Sequence, residues 1–215
     1  MGRRRVDNIL ALALLAVLMP GQPMHPYQMA SVLRRTGKHQ DMKIKMGSLY
    51  TVIRNLERHG LIEAIGSERT GRRPERTNYT ITEAGLAELN DWVRELIAVP
   101  EAEYPRFEAA LSVLSVLPPD DAIMLLQQRT RALDSDIALR RAELERTPVP
   151  PRLFLIEAEY ALAMRQAELT WIRALLTEFT DGTFPDLARW HEFHRAGEIA
   201  PEFTELLTQG DRPPD

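Results

Sequence analysis

Residues 43–64, KIKMGSLYTVIRNLERHGLIEA, constrain the fold more than any other stretch of the chain. Leu49, Val52, Ile53 and Leu56 recur at i, i+3, i+4 and i+7, a spacing that gathers them on one side of an α-helix and requires a core against that side. The other side carries Tyr50, Thr51, Arg54, Asn55 and Arg58, with Glu57 at its margin. A solvated helix ordinarily mixes both charge signs. Hydroxyl, amide and guanidinium groups without carboxylates are instead what phosphates and base edges can accept.

The charge distribution agrees with that helix. Over all 215 residues the net charge is −4, but residues 1–80 hold 14 Lys and Arg against 6 Asp and Glu, a net of +8. The other 135 residues hold 13 basic and 25 acidic groups, a net of −12. One module is therefore suited to touch a polyanion and the other is not. The absence of Cys excludes disulfides, thiolate metal sites and Cys nucleophiles, and fits a reducing cytoplasm.

The start, MGRRRVDNILALALLAVLMPGQP, imitates a signal peptide, with three arginines before an apolar run from Ile9 to Met19. Asp7 interrupts the basic region, no small-x-small cleavage site follows, and Pro20-Gly21 ends the run. The run is also shorter than the ~20 residues a membrane-spanning helix needs. We read a buried helix, capped at Asp7 or Asn8 and apolar nearly all round, with Arg3, Arg4 and Arg5 as a basic arm.

A second helix is expected from Pro26, which suits a first turn, to a stop at Gly37, with Tyr27, Ala30 and Leu33 as its buried side. Residues 38–47 leave room for a short strand at Ile44. Ser48, or a residue just before it, caps the helix of the opening stretch, and Gly60 ends it. Leu61 to Ile65 and Thr77 to Thr82 are short β-forming runs around a polar tip rich in arginine, the pattern of a hairpin. Thr82 then caps a helix with Leu86, Leu89, Val93 and Leu96 or Ile97 as its apolar stripe. The order is that of a winged helix-turn-helix, with the wing carrying Arg72, Arg73 and Arg76.

A composition change at AVPEAEYPRF marks a domain boundary, giving a DNA-binding domain over residues 1–98 and a helical domain over 99–215. No strand is expected after Pro105. A short helix ends at Pro118-Pro119. A longer one follows, with Ile123, Leu126, Thr130, Leu133, Ile137 and Leu144 as a coiled-coil-like seam. The next helix, from about Leu153 to Phe179, is apolar on two sides: Leu155, Leu162, Leu169, Ile172 and Leu176 on one, and Ile156, Tyr160, Met164, Ala167, Trp171 and Leu175 on the other. Two apolar sides need two partners, a neighbouring helix and a second subunit. The fold class is thus mostly α, a winged helix-turn-helix followed by an all-helical dimerisation domain.

With HPYQM at 25–29, GSLYTVIRNLERHGLIE at 47–63 and GRRPERTNYTITEAG at 71–85, the chain resembles the PadR-type transcriptional regulators. It departs from their usual pattern at Pro26, where Gly is commoner. The second half resembles the longer helical domain of one PadR subgroup. The resemblance implies a cytoplasmic homodimer that binds an inverted-repeat operator in double-stranded DNA, usually as a repressor, with release in several relatives by a small aromatic compound. It further implies that Ser48, Tyr50, Thr51, Arg54 and Asn55 read DNA from the helix, while Arg72, Arg73 and Arg76 serve the wing. By charge, Lys43, Lys45, Arg58 and the wing arginines suit phosphates, while Arg54 and Asn55 suit base edges. Trp92 and Trp171 are the candidates for an aromatic effector.

Enzyme chemistry is not expected. The chain has no Gly-rich phosphate loop and no nucleophile elbow. WHEFHRAGE at 190–198 places His191, His194 and Glu198 on one helical face, but the His pair is three apart where the zinc-protease motif needs four. No metal, cofactor or membrane association is expected.

Overall fold

The computed structural model describes residues 6–37, 42, 46–68, 76–146 and 151–197. The chain divides into two compact units, Met1–Glu103 and Tyr104–Asp215.

The first unit is built around α1 (Ile9–Leu18), which Asn8 caps by accepting from the Leu10 amide at 2.8 Å. Leu10, Ala11, Leu12, Ala13, Leu14, Leu15 and Leu18 are all buried. A helix with apolar groups on nearly every side is stable here because α2 (Pro26–Arg35), α3 (Leu49–Arg58), α4 (Glu83–Ala98) and the sheet all pack on it. Each fully buried leucine contributes about 1.5–3 kcal/mol.

α2 starts at Pro26 behind a reciprocal cap. His25 Nδ1 accepts from the Tyr27 amide at 3.1 Å, and Gln28 Oε1 accepts from the His25 amide at 2.8 Å. Its buried side is Pro26, Met29, Ala30 and Leu33. Tyr27, expected inside, is instead 69% exposed. Met29 takes the core position because 26, 29, 30 and 33 lie on one helical face and 27 lies outside it.

A 3₁₀ turn, Met46–Ser48, leads into α3, whose buried residues are Leu49, Val52, Ile53 and Leu56, the four the periodicity selects. α3 ends at Gly60, whose φ of 68° favours glycine. β1 (Ile62–Glu68) and β2 (Arg76–Ile81) form an antiparallel hairpin, with an irregularity between Ile65 and Ser67 at Gly66. A single bridge at Met24 extends this sheet: Met24 and Tyr79 exchange both backbone hydrogen bonds, at 2.9 and 3.0 Å. The strand expected at Ile44 lies outside the described residues.

Thr82 caps α4 as expected, accepting from the Gly85 amide at 3.0 Å. The apolar stripe of α4 is corrected. Its buried residues are Gly85, Leu89 and Trp92, while Leu86, Val93 and Leu96 are exposed and Ile97 is 84% exposed. The indole of Trp92, 4% exposed, turns the core face of this helix away from the line drawn through the aliphatic residues.

The second unit contains α5 (Arg106–Leu111), a 3₁₀ turn at Leu114–Val116, α6 (Pro119–Leu144), a further 3₁₀ turn at Arg152–Phe154, α7 (Ile156–Asp181) and α8 (Leu187–Ala196). No strand occurs among its described residues. α6 and α7 pack along each other. Ala122, Leu126, Ile172, Phe179 and Trp190 form the core, with Ile123, Leu133, Leu175 and Leu176 packed around it. Arg129–Glu168 at 2.5 Å, Asp134–Arg173 at 2.8 Å and Asp136–Arg165 at 2.5 Å tie the two long helices along their sides. Trp190 anchors α8: it is buried beside Phe179, and its Nε1–H donates to the Leu117 carbonyl at 3.0 Å. None of the helices in the described residues is long and apolar enough to cross a membrane.

Candidate nucleic-acid interface

The candidate interface is the outward side of α3. Burying Leu49, Val52, Ile53 and Leu56 leaves Tyr50, Thr51, Arg54 and Arg58 exposed and Asn55 half-buried at the edge. Tyr50 is 59% exposed, a large ring held in water by a helix whose apolar positions are already filled. Ser48 occupies the N-cap position, at the end where the backbone dipole favours an anion.

The structure joins two of these side chains. The Arg58 guanidinium donates to the Asn55 amide oxygen, one turn earlier on the same helix. A guanidinium given to phosphates and an amide given to bases therefore share a hydrogen bond. Reading adenine through Asn55 requires that oxygen to exchange Arg58 for a base donor. Arg54 has no such tie among the described residues, and it is exposed.

Lys43, Lys45, Arg72 and Arg73 lie outside the described residues. Of Arg76 only the backbone is described, paired with Glu68 at the start of β2. At the base of the hairpin, Tyr79 is held by the Met24 bridge, and burial together with nearby Glu57 pushes its phenol above the ordinary value. It stays neutral at physiological pH and adds no charge to the surface.

Thr82 connects α3 to α4. Its hydroxyl donates to the Gly60 carbonyl at 2.7 Å while accepting from Gly85, and its amide donates to the Leu61 carbonyl at 3.1 Å. Gly85 is packed so closely that a Cβ there would stand 1.9 Å from the Leu61 carbonyl oxygen. The run Thr82-Glu83-Ala84-Gly85 thus fixes the end of α3 against the start of α4. Its local signal was visible as a helix cap, whereas its role as a clamp depends on the distant Gly60 and Leu61.

The six residues expected at a subunit contact divide on α7. Ile156, Tyr160, Met164, Ala167 and Trp171 are exposed, Tyr160 by 66%, and Leu175 packs against the unit's own core. Trp171 also meets Phe107 edge to face at 6.4 Å. Together with Pro105, Glu108, Leu111, Ala167 and Glu168 these rings line an open cleft of about 360 Å³. The guanidinium of Arg129 lies 3.8 Å from the Phe107 ring centre. Trp92 lies in the core of the first unit, so contact with a ligand there would require that core to open.

His191 and His194 turn toward the chain itself. His194 Nε2 is 2.9 Å from the Ser115 carbonyl oxygen, and His191 Nε2 is 3.9 Å from an Asp120 carboxylate oxygen. Glu198 lies outside the described residues. No group of three metal-binding side chains occurs among the described residues.

Residues 14–91 match the model of the transcriptional regulator PadR-like family. Among solved structures the chain is similar to Bacillus subtilis PadR in complex with operator DNA, at 19% identity and a TM-score of 0.62, over 79% of this chain and 98% of that one. The same protein in complex with p-coumaric acid matches at 19% identity and a TM-score of 0.62, over 79% and 97%. The Vibrio cholerae virulence activator AphA matches at 20% identity and a TM-score of 0.58, over 80% and 98%. At these identities the structures show a shared fold. No curated protein sequence matches.

Proposed function

We propose that this PadR-like transcriptional regulator acts as a homodimeric repressor, placing two copies of α3 in successive major grooves of an inverted-repeat operator. The observation that carries the reading is the division of α3 into a buried aliphatic side and an opposite side on which Tyr50, Thr51, Arg54 and Arg58 are exposed and Asn55 is half-buried. Arg54 and Asn55 carry the side-chain groups that would make bidentate contacts with guanine and adenine. Lys43, Lys45, Arg58 and the wing residues Arg72, Arg73 and Arg76 would neutralise phosphates, and Ser48 would meet the backbone at the helix start. In a two-fold dimer the paired helices would lie ~34 Å apart, one turn of DNA.

Dimerisation is supported by the exposed apolar side of α7, where Ile156, Tyr160, Met164 and Trp171 all stand open to water along one helix. An effector role is supported by the cleft beside Trp171, whose volume suits a small aromatic molecule. The protein would work in the cytoplasm, where its DNA is, with no enzymatic step.

The test is binding of the purified chain to labelled DNA from upstream of its own gene and to random DNA, across a salt series. Binding to upstream DNA that exceeds random DNA by about a thousandfold or more, with a steep salt slope, establishes a specific regulator. Weak and equal binding to both fails the reading for that site. Release is tested in the same assay with p-coumaric acid, the ligand of the B. subtilis neighbour.

A further inference from the structure

The exposed side of α2 holds two side chains that neither the core nor the α3 surface accounts for. Tyr27 is 69% exposed, and the Arg34 guanidinium, two turns further along, lies 5.9 Å from its ring centre. Helical side chains lean toward the N-terminus. Arg34, in the last turn of α2, leans its charge back along the exposed side toward the Tyr27 ring. α2, PYQMASVLRR, contains no acid to pair with it.

The backbone decides where this pair sits. Met24, three residues before Tyr27, is bonded in both directions to Tyr79 of β2, and the Thr80 hydroxyl donates to the Gly21 carbonyl at 3.4 Å. The start of α2 is therefore attached to the strand that returns from the wing. In a helix-turn-helix the first helix crosses the sugar-phosphate backbone while the second enters the groove.

We propose that Tyr27 and Arg34 form a phosphate-contacting pair, with the Tyr27 hydroxyl donating to a phosphate oxygen and the ring holding the Arg34 guanidinium over the same or the adjacent phosphate. The pair positions the protein on duplex DNA of any sequence and reads no base. This rests on the DNA-binding reading above.

The experiment is a salt titration of binding to a mixed-sequence duplex, comparing the unaltered chain with R34Q, Y27F and a control, R94Q, whose arginine pairs with Asp91 on α4. Removing one phosphate contact should lower the slope of log K against log salt by about 0.9. R34Q should therefore bind less tightly, by a factor that shrinks about 3.5-fold when salt is raised fourfold. Y27F, which loses a neutral donor, should bind severalfold more weakly at every salt concentration with its slope unchanged. R94Q should match the unaltered chain. An R34Q slope equal to that of the unaltered chain overturns the inference while leaving DNA binding intact. Failure of the unaltered chain to bind any duplex overturns both. The substituted positions are exposed, and unchanged circular dichroism confirms that the fold is retained.

Discussion

The Thr82 hydroxyl donates to the carbonyl oxygen of Gly60 across 2.7 Å. The chain there has just left α3, and 22 residues later it returns from the wing to begin α4. One side chain thereby closes the hairpin, caps α4 and satisfies a carbonyl at the end of α3.

Thr82→Ala should cost about 1–2 kcal/mol, the usual value for losing an N-cap, with the Gly60 carbonyl also left without this donor. Amide hydrogen exchange in α3 and α4 should accelerate by roughly tenfold per 1.4 kcal/mol lost. Thr82→Ser keeps the oxygen and should restore most of the protection. Exchange in Thr82→Ala equal to that of the unaltered chain would show that the clamp contributes nothing.

Gly85→Ala is expected to be worse than Thr82→Ala. Its new methyl would stand 1.9 Å from the backbone oxygen of Leu61, which is no flexible side-chain end that can move aside. We expect a loss of more than about 3 kcal/mol. The first unit should then become sensitive to limited proteolysis while the second remains protected. A resistant first unit would mean that α4 can shift away from Leu61.

Arg54→Ala should lose operator preference more than general affinity, because a bidentate base contact discriminates by about 1–3 kcal/mol while phosphate contacts are unaffected. Parallel titrations on operator and random DNA measure the two separately. Equal losses on both would place Arg54 on the phosphate backbone.

Tyr160→Glu puts a charge in the middle of the exposed apolar side of α7 without touching the core of its own unit. It should convert a dimer into a folded monomer at micromolar concentration, read by sedimentation equilibrium with the helical circular dichroism retained. A dimer of unchanged affinity would move the subunit contact elsewhere, with the exposed Ile97 on α4 next to be tested.

Acid should weaken the second unit through Asp136. A hydrogen bond from Arg140 is the largest cause holding its carboxyl below the ordinary carboxylate value of 3.8; burial opposes it, and a hydrogen bond from Arg165 and the charges of both arginines add to the lowering. A depressed folded-state pKa means that the stabilisation is fully present above the unfolded value and is lost as pH falls through the folded one. The loss should therefore start near pH 4 and grow below it. The carboxylate is 40% exposed, so solvent screening limits the contribution to no more than about 1 kcal/mol. Denaturant midpoints for Asp136→Asn should be flatter with pH over this range than those of the unaltered chain.

The sequence by itself determined the elements and the side of α3 that faces out. Leu49, Val52, Ile53 and Leu56 could be buried together only as a helix, and that choice exposes Arg54 and Tyr50 without reference to the rest of the chain. Asn8, Pro26, Gly60 and Thr82 mark helix ends for equally local reasons, since caps and positive φ are properties of a few consecutive residues. Tertiary structure decided what depends on a neighbour. Tyr27 and Met29 are both large side chains, and the packing of α2 on α1 and α3 decides that the face holding Met29 is the one buried. On α4 the aliphatic repeat points to Leu86, Leu89, Val93 and Leu96 or Ile97, of which only Leu89 is buried; Trp92 takes the buried side because a large ring gains more from the core than a valine does. The bridge from Met24 to Tyr79 and the close approach of Gly85 to Leu61 leave no pattern in the sequence. Each depends on the distance between two groups, and that distance exists only once the chain has packed.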